Sequence, residues 1–176
     1  MDTTVLVLPG IGNSGAGHWQ TLWEQRHGAF VRVRQRDWNR PVCAEWVETL
    51  ETAISSVSGE VVLAAHSLGC LLVPHWAAQT GLTVKGALLV APPDPDGPAY
   101  PMEIAGFDHA PQDPLPFPSI VVASTDDPYG SVEFAQSCAQ AWGSRFVDVG
   151  ARGHINADSG LGDWPEGYAL LRQLTG

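Results

Sequence analysis

Residues 61–69 read VVLAAHSLG, and the architecture of the chain follows from this stretch. Its first five residues are all apolar, which is typical of a strand buried on both faces of a parallel sheet. A helical pattern begins at about Leu68 and continues to about residue 79. A sharp turn from strand to helix needs small residues two before and two after its centre, and Ala65 and Gly69 supply them. The stretch therefore predicts a buried strand, a tight turn at Ser67 and a helix.

The same alternation extends outward in both directions. Short runs typical of strands occupy residues 4–8, 61–65, 84–90, 119–123 and 145–149, and residues 30–34 alternate with period two, which predicts a half-exposed strand at the sheet edge. Helical patterns occupy residues 18–26, 43–57, 68–79, 132–142 and 167–174. This repetition predicts an α/β fold, with a mostly parallel sheet of about five to six strands and helices on both faces. At 176 residues without a linker, a single domain over residues 1–176 is expected.

One segment breaks the alternation. Residues 92–118 hold nine of the 14 prolines in the chain, which excludes a regular helix or a central strand there. Two interpretations stay open. The segment is either a long surface loop or a partial lid over a site, because long loops in compact domains often carry function.

The composition is that of a globular protein and narrows its partners. Apolar residues make up 44% of the chain and charged residues 16%, which excludes disorder. The formal net charge is −10 and the nine Lys and Arg residues form no basic run, so neither nucleic acid nor an anionic membrane surface is expected as a partner. No apolar run is long enough to span a bilayer. The oligomeric state is left open by the sequence.

The cysteines and the start of the chain bear on the compartment. Cys43, Cys70 and Cys138 are odd in number and show no C-x-x-C spacing, so a disulfide framework is not expected. The first residues lead directly into a strand-like run, without a basic or cleavable apolar leader. A cytoplasmic protein is the expectation.

Ser67 has two interpretations. In a nucleophile elbow of the form G-x-S-x-G, here with Ala65 in place of the first glycine, the turn projects the serine hydroxyl above the carboxyl end of the sheet. The backbone amide of Leu68, at the helix N-terminus, then stabilises an oxyanion. The alternative is that Ser67 only caps the following helix, because serine is among the best N-cap residues.

A nucleophilic serine needs a base, and in α/β hydrolases the chain order is serine, acid, histidine. Three histidines follow Ser67: His75, His109 and His154. His75 lies within the helix that Ser67 begins, and His109 lies in the proline-rich segment. His154 follows the last predicted strand, in a loop that can reach over the sheet edge. His154 is therefore the predicted base, and a surface loop histidine is the alternative.

The acid is expected in the loop after the preceding strand. Asp126 and Asp127 both lie there, directly after residues 119–123. The residue before a proline is held extended, which gives Asp127 a defined direction, whereas Asp126 is suited to capping the turn. Spacing alone favours Asp127 slightly. The alternative is that both carboxylates cap the following helix.

A second oxyanion donor normally comes from the loop after the first strand. Residues 9–15 read PGIGNSG, and their glycines permit a tight approach of the backbone. The amide of Ile11 is the predicted donor, with that of Gly12 as the next choice. A phosphate-binding loop is disfavoured, because the spacing G-x-G-x-x-G and a following Gly-Lys-Ser/Thr are both missing.

These segments together resemble a known family. The chain is similar to the small serine hydrolases of the retinoblastoma-binding protein 9 and YdeN family, within the α/β-hydrolase superfamily. The matching segments span the chain: LPG at residues 8–10, GHWQ at 17–20, HSLG at 66–69, STDDP at 124–128 and GH at 153–154. The resemblance implies a compact α/β-hydrolase-like three-layer sandwich without a large cap domain.

The resemblance also implies functional residues. It assigns Ser67, Asp127 and His154 to a catalytic triad, and so prefers Asp127 over Asp126. The expected activity is hydrolysis of a small-molecule carboxylic ester or related acyl bond, without a cofactor and without a metal site. The alternative is a non-catalytic or weakly active protein-binding module on a hydrolase scaffold. The resemblance names no substrate.

Overall fold

The computed structural model describes residues 2–176 and contains a six-stranded parallel sheet. The strand order is β2-β1-β3-β4-β5-β6, and every neighbouring pair is parallel. The strands are β1 (Thr3–Leu8), β2 (Phe30–Arg32), β3 (Glu60–His66), β4 (Gly86–Val90), β5 (Ser119–Ala123) and β6 (Arg145–Asp148).

Five α-helices cover the two faces of this sheet. They are α1 (Trp19–Arg26), α2 (Cys43–Ser55), α3 (Leu68–Ala77), α4 (Val132–Trp142) and α5 (Pro165–Thr175), and a short 3-10 turn lies at Ala157–Ser159. Helices α2, α3 and α4 bury their apolar side chains in one cluster, on one face of the sheet. Helices α1 and α5 contribute to a second cluster on the other face. The predicted three-layer α/β-hydrolase-like sandwich is confirmed, with six strands and all of them parallel.

Successive side chains of β3 belong alternately to the two clusters, as expected for a central strand. Val61, Leu63 and Ala65 belong to the first cluster, while Val62 and Ala64 belong to the second. Burial on both faces explains the uninterrupted apolar run in the sequence. The observed ends of each helix and strand lie within two residues of the predicted ends.

The order of the strands reverses between β1 and β3. From β1 the chain continues to β2 on one side, and then returns to place β3 on the other. In parallel α/β sheets, ligands bind beyond the carboxyl ends of the strands at such a reversal. The turn after β3 therefore lies beside the loop that follows β1.

Helix α3 packs unusually close to β1 just after this turn. A Cβ atom added to Gly69 would lie only 2.4 Å from the carbonyl oxygen of Leu8. No side chain fits in that space, because the obstacle is backbone. Gly69 therefore lets the helix begin directly above the end of β1.

The proline-rich segment packs on the protein instead of looping freely over its surface. Ile104, Phe107 and Phe117 are buried in the first apolar cluster. An isolated parallel bridge joins Ala105 to Val42, which immediately precedes α2. Of the two interpretations, a simple surface loop does not describe a segment that contributes three side chains to the core.

Among residues 2–176, no helix is both long enough and apolar enough to cross a membrane. The thiols of Cys43, Cys70 and Cys138 are all buried. Cys70 lies inside α3, where its Sγ donates to the carbonyl oxygen of Val90, 3.2 Å away.

The substitution Gly69→Ala should lower the free energy of unfolding by about 1–3 kcal/mol, because the new methyl group collides with the backbone of β1. Gly81→Ala is the matched control, since among residues 2–176 no atom lies within 4 Å of a Cβ added there. Urea denaturation of both variants measures the difference. Equal stabilities would contradict the close packing of α3 on β1.

Candidate active site

Ser67 occupies a strained turn between β3 and α3. Its backbone has φ 54° and ψ −123°, a conformation that non-glycine residues rarely adopt. Among residues 2–176, its side chain makes no capping hydrogen bond to the helix, so the N-cap interpretation lacks the contact that defines it. The amide of Ser67 donates to the carbonyl oxygen of Val90, 2.9 Å away, which ties the turn to β4.

A continuous hydrogen-bonded path runs from Ser67 through His154 to Asp127. The Oγ of Ser67 lies 2.9 Å from Nε2 of His154. The Nδ1 of the same ring lies 2.9 Å from each carboxylate oxygen of Asp127. Because a carboxylate only accepts, Nδ1 carries the proton of a neutral ring, and Nε2 accepts from the serine hydroxyl. The side chains of His154 and Asp127 are only 10% and 2% exposed, so both are largely shielded from water.

The two neighbouring aspartates have different partners. Besides His154, Asp127 accepts a hydrogen bond from the backbone amide of Tyr129 at 2.9 Å. Asp126 instead accepts from the hydroxyl of Ser124 at 2.8 Å and from the amide of Gly153 at 2.7 Å. These two donors, the hydroxyl first, hold the pKa of Asp126 below its usual value. Asp126 therefore binds the backbone just before His154, and Asp127 binds its imidazole.

The other two downstream histidines lie elsewhere. His75 stands on α3 with its ring edge-to-face against Phe107, with ring centroids 5.6 Å apart. His109 is exposed in the proline-rich segment. The structure brings His154, and neither of these, into contact with Ser67.

The loop after β1 closes against the turn at Ser67. A Cβ added to Gly10 would lie 2.9 Å from the Cβ of Ser67 and 3.1 Å from the amide nitrogen of Leu68. The amide of Gly12 donates to the carbonyl oxygen of Trp38 at 2.8 Å and is therefore already used. Ile11 and Leu68 both line the cavity beside Ser67. Of the two amides considered from the sequence, that of Gly12 therefore already has a backbone partner, and the amide of Ile11 stays the predicted donor.

A small, neutral cavity opens above Ser67. Its volume is about 210 Å³, below the roughly 300–1,000 Å³ of pockets that hold drug-sized ligands. Pro101 and Ile104 of the proline-rich segment form part of its wall, and Asn13 and Asn156 add amide groups. No Lys, Arg, Asp or Glu side chain among residues 2–176 lines it. The cavity therefore suits a small uncharged group.

Two further histidines beside the cavity were not singled out from the sequence. His18 caps α1, its Nδ1 accepting from the amide of Gln20 at 3.2 Å, and His66 contacts the carbonyl oxygen of His154 through Nε2 at 2.9 Å. Burial, followed by the nearby Arg32 guanidinium, lowers the pKa of His18 to about 3. Burial also lowers the pKa of His66 well below its ordinary value. Both rings are thus neutral. In the sequence, the only signal for them was that His18 lies in the motif GHWQ and His66 in the motif HSLG.

Tyr129 was also missed. Its ring lies 4.5 Å from the ring of His154, measured between centroids, and it lines the same cavity.

Among residues 2–176, no group of three or more His, Cys, Asp or Glu side chains is arranged to hold a metal ion.

Comparison with known proteins gives both a family and a set of related folds. A family model described as Serine hydrolase matches residues 5–173 of this chain. A solved structure of a candidate YdeN-like hydrolase from Pectobacterium atrosepticum is 36% identical with a TM-score of 0.86, and the match covers 98% of this chain and 90% of that one. No curated protein matches the sequence.

More distant structures share the fold. The ydeN gene product of B. subtilis is 22% identical with a TM-score of 0.79, and the match covers 99% of each chain. A monoacylglycerol lipase from Paleococcus ferrophilus is 13% identical with a TM-score of 0.73, covering 97% of this chain and 93% of that one. At these identities the likeness concerns the fold alone.

The different partners of the two aspartates generate a test. Asp127→Asn should lower the turnover of p-nitrophenyl acetate by about 10⁴-fold, because an asparagine amide favours the wrong tautomer of His154. Asp126→Asn should lose far less, since Asp126 contacts only the backbone and a serine hydroxyl. Side-by-side kinetics decide the matter, and the reverse ranking would transfer the acid role to Asp126.

Proposed function

Since the chain belongs to the serine hydrolase family, together with the YdeN-like proteins, we propose that it cleaves a carboxylic ester or related acyl bond through an acyl-enzyme on Ser67. Membership confirms the resemblance found in the sequence motifs and makes the chain a hydrolase enzyme. The observation that carries the proposal is the path of 2.9 Å contacts from Ser67 through His154 to Asp127. Those residue types in that order activate a serine hydroxyl.

In the proposed reaction, Nε2 of His154 accepts the hydroxyl proton while Oγ of Ser67 attacks the acyl carbon. The carbonyl double bond opens to an oxyanion, and the tetrahedral intermediate collapses as His154 returns the proton to the leaving alcohol. A water molecule then attacks the acyl-enzyme and gives a proton to His154. As this second tetrahedral intermediate collapses, the bond to Oγ of Ser67 breaks, His154 returns the proton to that oxygen, and the acid is released. Asp127 fixes the tautomer of His154 throughout and stabilises the imidazolium that forms.

The amides of Ile11 and Leu68 are the proposed oxyanion donors. Gly10 supports this assignment, because the absence of its side chain leaves space directly against Ser67 and the amide of Leu68. A donor of this kind is typically worth about 3–4 kcal/mol in the transition state. Leu68 begins α3, so the positive end of the helix dipole adds to its effect.

The cavity suggests the kind of substrate. Its volume of about 210 Å³ and its lining without charged carboxylate, guanidinium or ammonium groups, within residues 2–176, fit a short uncharged acyl group. A p-nitrophenyl ester of acetate or butyrate is accordingly the first substrate to assay.

We further propose a single catalytic domain acting in the cytoplasm, where thiols such as the three buried here persist.

Ser67→Ala should fold normally and lose hydrolysis of p-nitrophenyl acetate by on the order of 10⁴-fold or more. It should also lose labelling by a fluorophosphonate probe, because the probe reacts only with an activated serine. Ser119→Ala is the matched control, since Ser119 is comparably buried, at 6% exposure against 8% for Ser67, and bonds to Ser144. Activity of Ser67→Ala near that of the wild type would refute the proposal.

The pH dependence supplies a separate test of the base. Hydrolysis should fall in one step as the pH is lowered, because a protonated imidazole no longer accepts the hydroxyl proton of Ser67. Burial lowers the pKa of His18 to about 3 and that of His66 well below its ordinary value, so these rings stay neutral through the step. His75→Ala and His109→Ala should leave it in place. A plateau continuing down to about pH 4.5 would indicate a carboxylate base instead.

A further inference from the structure

Two buried side chains hold two consecutive carbonyl groups in the loop that carries His154. The Nε2 of His66 lies 2.9 Å from the carbonyl oxygen of His154 itself. The indole Nε1 of Trp19 donates to the next carbonyl oxygen, that of Ile155, also at 2.9 Å. Both donors are buried, at 5% and 1% exposure. We infer that His66 and Trp19 are positioning residues: a carbonyl clamp that fixes the backbone at His154 and so directs its imidazole at Ser67.

The backbone at this point needs external support. Ile155 has φ 48°, in the left-handed region that a β-branched residue strongly avoids. Such a conformation persists only where its surroundings impose it. Ile155 is also completely buried, so the chain turns inward immediately after His154. The two clamp bonds fall on either side of this turn. They add to the hydrogen bond that the amide of Ile155 donates to the carbonyl oxygen of Arg152 at 3.2 Å in holding the peptide between His154 and Ile155.

The Nε2 of His66 remains a hydrogen-bond donor throughout the assay. A carbonyl oxygen only accepts, so Nε2 of His66 carries the proton of the ring. Because burial lowers the pKa of His66 well below its ordinary value, the ring stays neutral and singly protonated while the enzyme is assayed. His66 is also the residue directly before Ser67 in the chain. The same strand end therefore positions the serine and restrains the loop of its partner histidine.

The indole ring of Trp19 is held in position, because aromatic neighbours enclose it. The centroid of Trp23 lies 4.5 Å away and that of Trp164 lies 5.4 Å away. Trp19 begins α1 and does not, among residues 2–176, belong to the lining of the cavity above Ser67. It therefore acts on the reaction through the loop, without touching substrate. Loss of its N–H should change how often His154 is aligned, and leave substrate binding as it was.

Trp19→Phe tests the clamp, because it removes the N–H and keeps an aromatic ring. With p-nitrophenyl acetate, kcat should fall about 10- to 100-fold while KM is unchanged, since a misplacement of about 1 Å has an effect of that size. The matched control is Trp23→Phe, which removes an indole N–H from the same aromatic cluster but one that donates to Asp163. Trp23→Phe keeps an aromatic ring beside Trp19 and should therefore keep the wild-type kcat. Assays run below the melting temperature of both variants, which circular dichroism establishes.

The second donor is tested by a pair of amide substitutions. In His66→Gln the side-chain nitrogen still reaches the position of Nε2, whereas in His66→Asn it is too short to reach the carbonyl oxygen of His154. His66→Asn should lose about 10- to 100-fold in kcat. His66→Gln should recover most of that loss. A merely structural role for the imidazole would make the two variants alike.

The kinetic tests of the clamp rest on the proposed function, because they measure turnover. A measurement that does not depend on turnover therefore completes the experiment. In a Ser67→Ala background, backbone amides of residues 153–157 should exchange with deuterium at least about 10-fold faster in Trp19→Phe and His66→Asn than in Trp23→Phe. If Ser67 is not the nucleophile, wild type and Ser67→Ala hydrolyse equally, and exchange still decides the clamp. The clamp is refuted by unchanged exchange in both variants, or by equal kcat losses in Trp19→Phe and Trp23→Phe.

Discussion

The buried amide of Gln20 joins the parts of the molecule that the site depends on. Its Nε2 donates to the carbonyl oxygens of Leu8 at 3.1 Å and Ala64 at 3.0 Å, which holds together β1 and β3 where the strand order reverses. Its Oε1 accepts from the hydroxyl of Ser14 at 2.6 Å, and its backbone amide is bonded to His18. Every polar atom of a fully buried side chain is thus satisfied, as burial of an amide demands. The loop after β1, the start of α1 and strand β3 are all hydrogen-bonded to this one residue.

The rest of the site is assembled by the parallel register of the last two strands. Because β5 and β6 run in the same direction, their carboxyl ends meet at one edge, and the loops of Asp127 and His154 leave from there. The amide of Thr125 donates to the carbonyl oxygen of Gly150 at 3.0 Å and joins the two loops directly. Asp126 adds a second link through the amide of Gly153. These contacts hold the two loops together in addition to the contact between the side chains of His154 and Asp127.

The fold could be predicted well from the sequence because buried strands and helices have local patterns of apolar residues. An apolar run such as residues 61–65 identifies a central strand, and the order of serine, acid and histidine identifies the three loops that meet. Local patterns carry no information on contacts between distant residues. His66 and His154 are separated by 88 positions, and Trp19 and Ile155 by 136, so their hydrogen bonds became visible only in the structure. The prolines of residues 92–118 excluded regular structure but did not reveal which side chains the segment buries.

The neutral cavity has a consequence for the direction of the reaction. In the proposed reaction an uncharged ester enters it, but the acid released at neutral pH is a carboxylate, since unperturbed carboxylic acids ionise near pH 4. No cationic side chain among residues 2–176 lines the cavity to retain that anion, and the chain as a whole carries a formal charge of −10. The field of the protein therefore favours departure of the product and opposes its return. Accumulated acid should inhibit such an enzyme weakly, so that turnover continues in the presence of its own product.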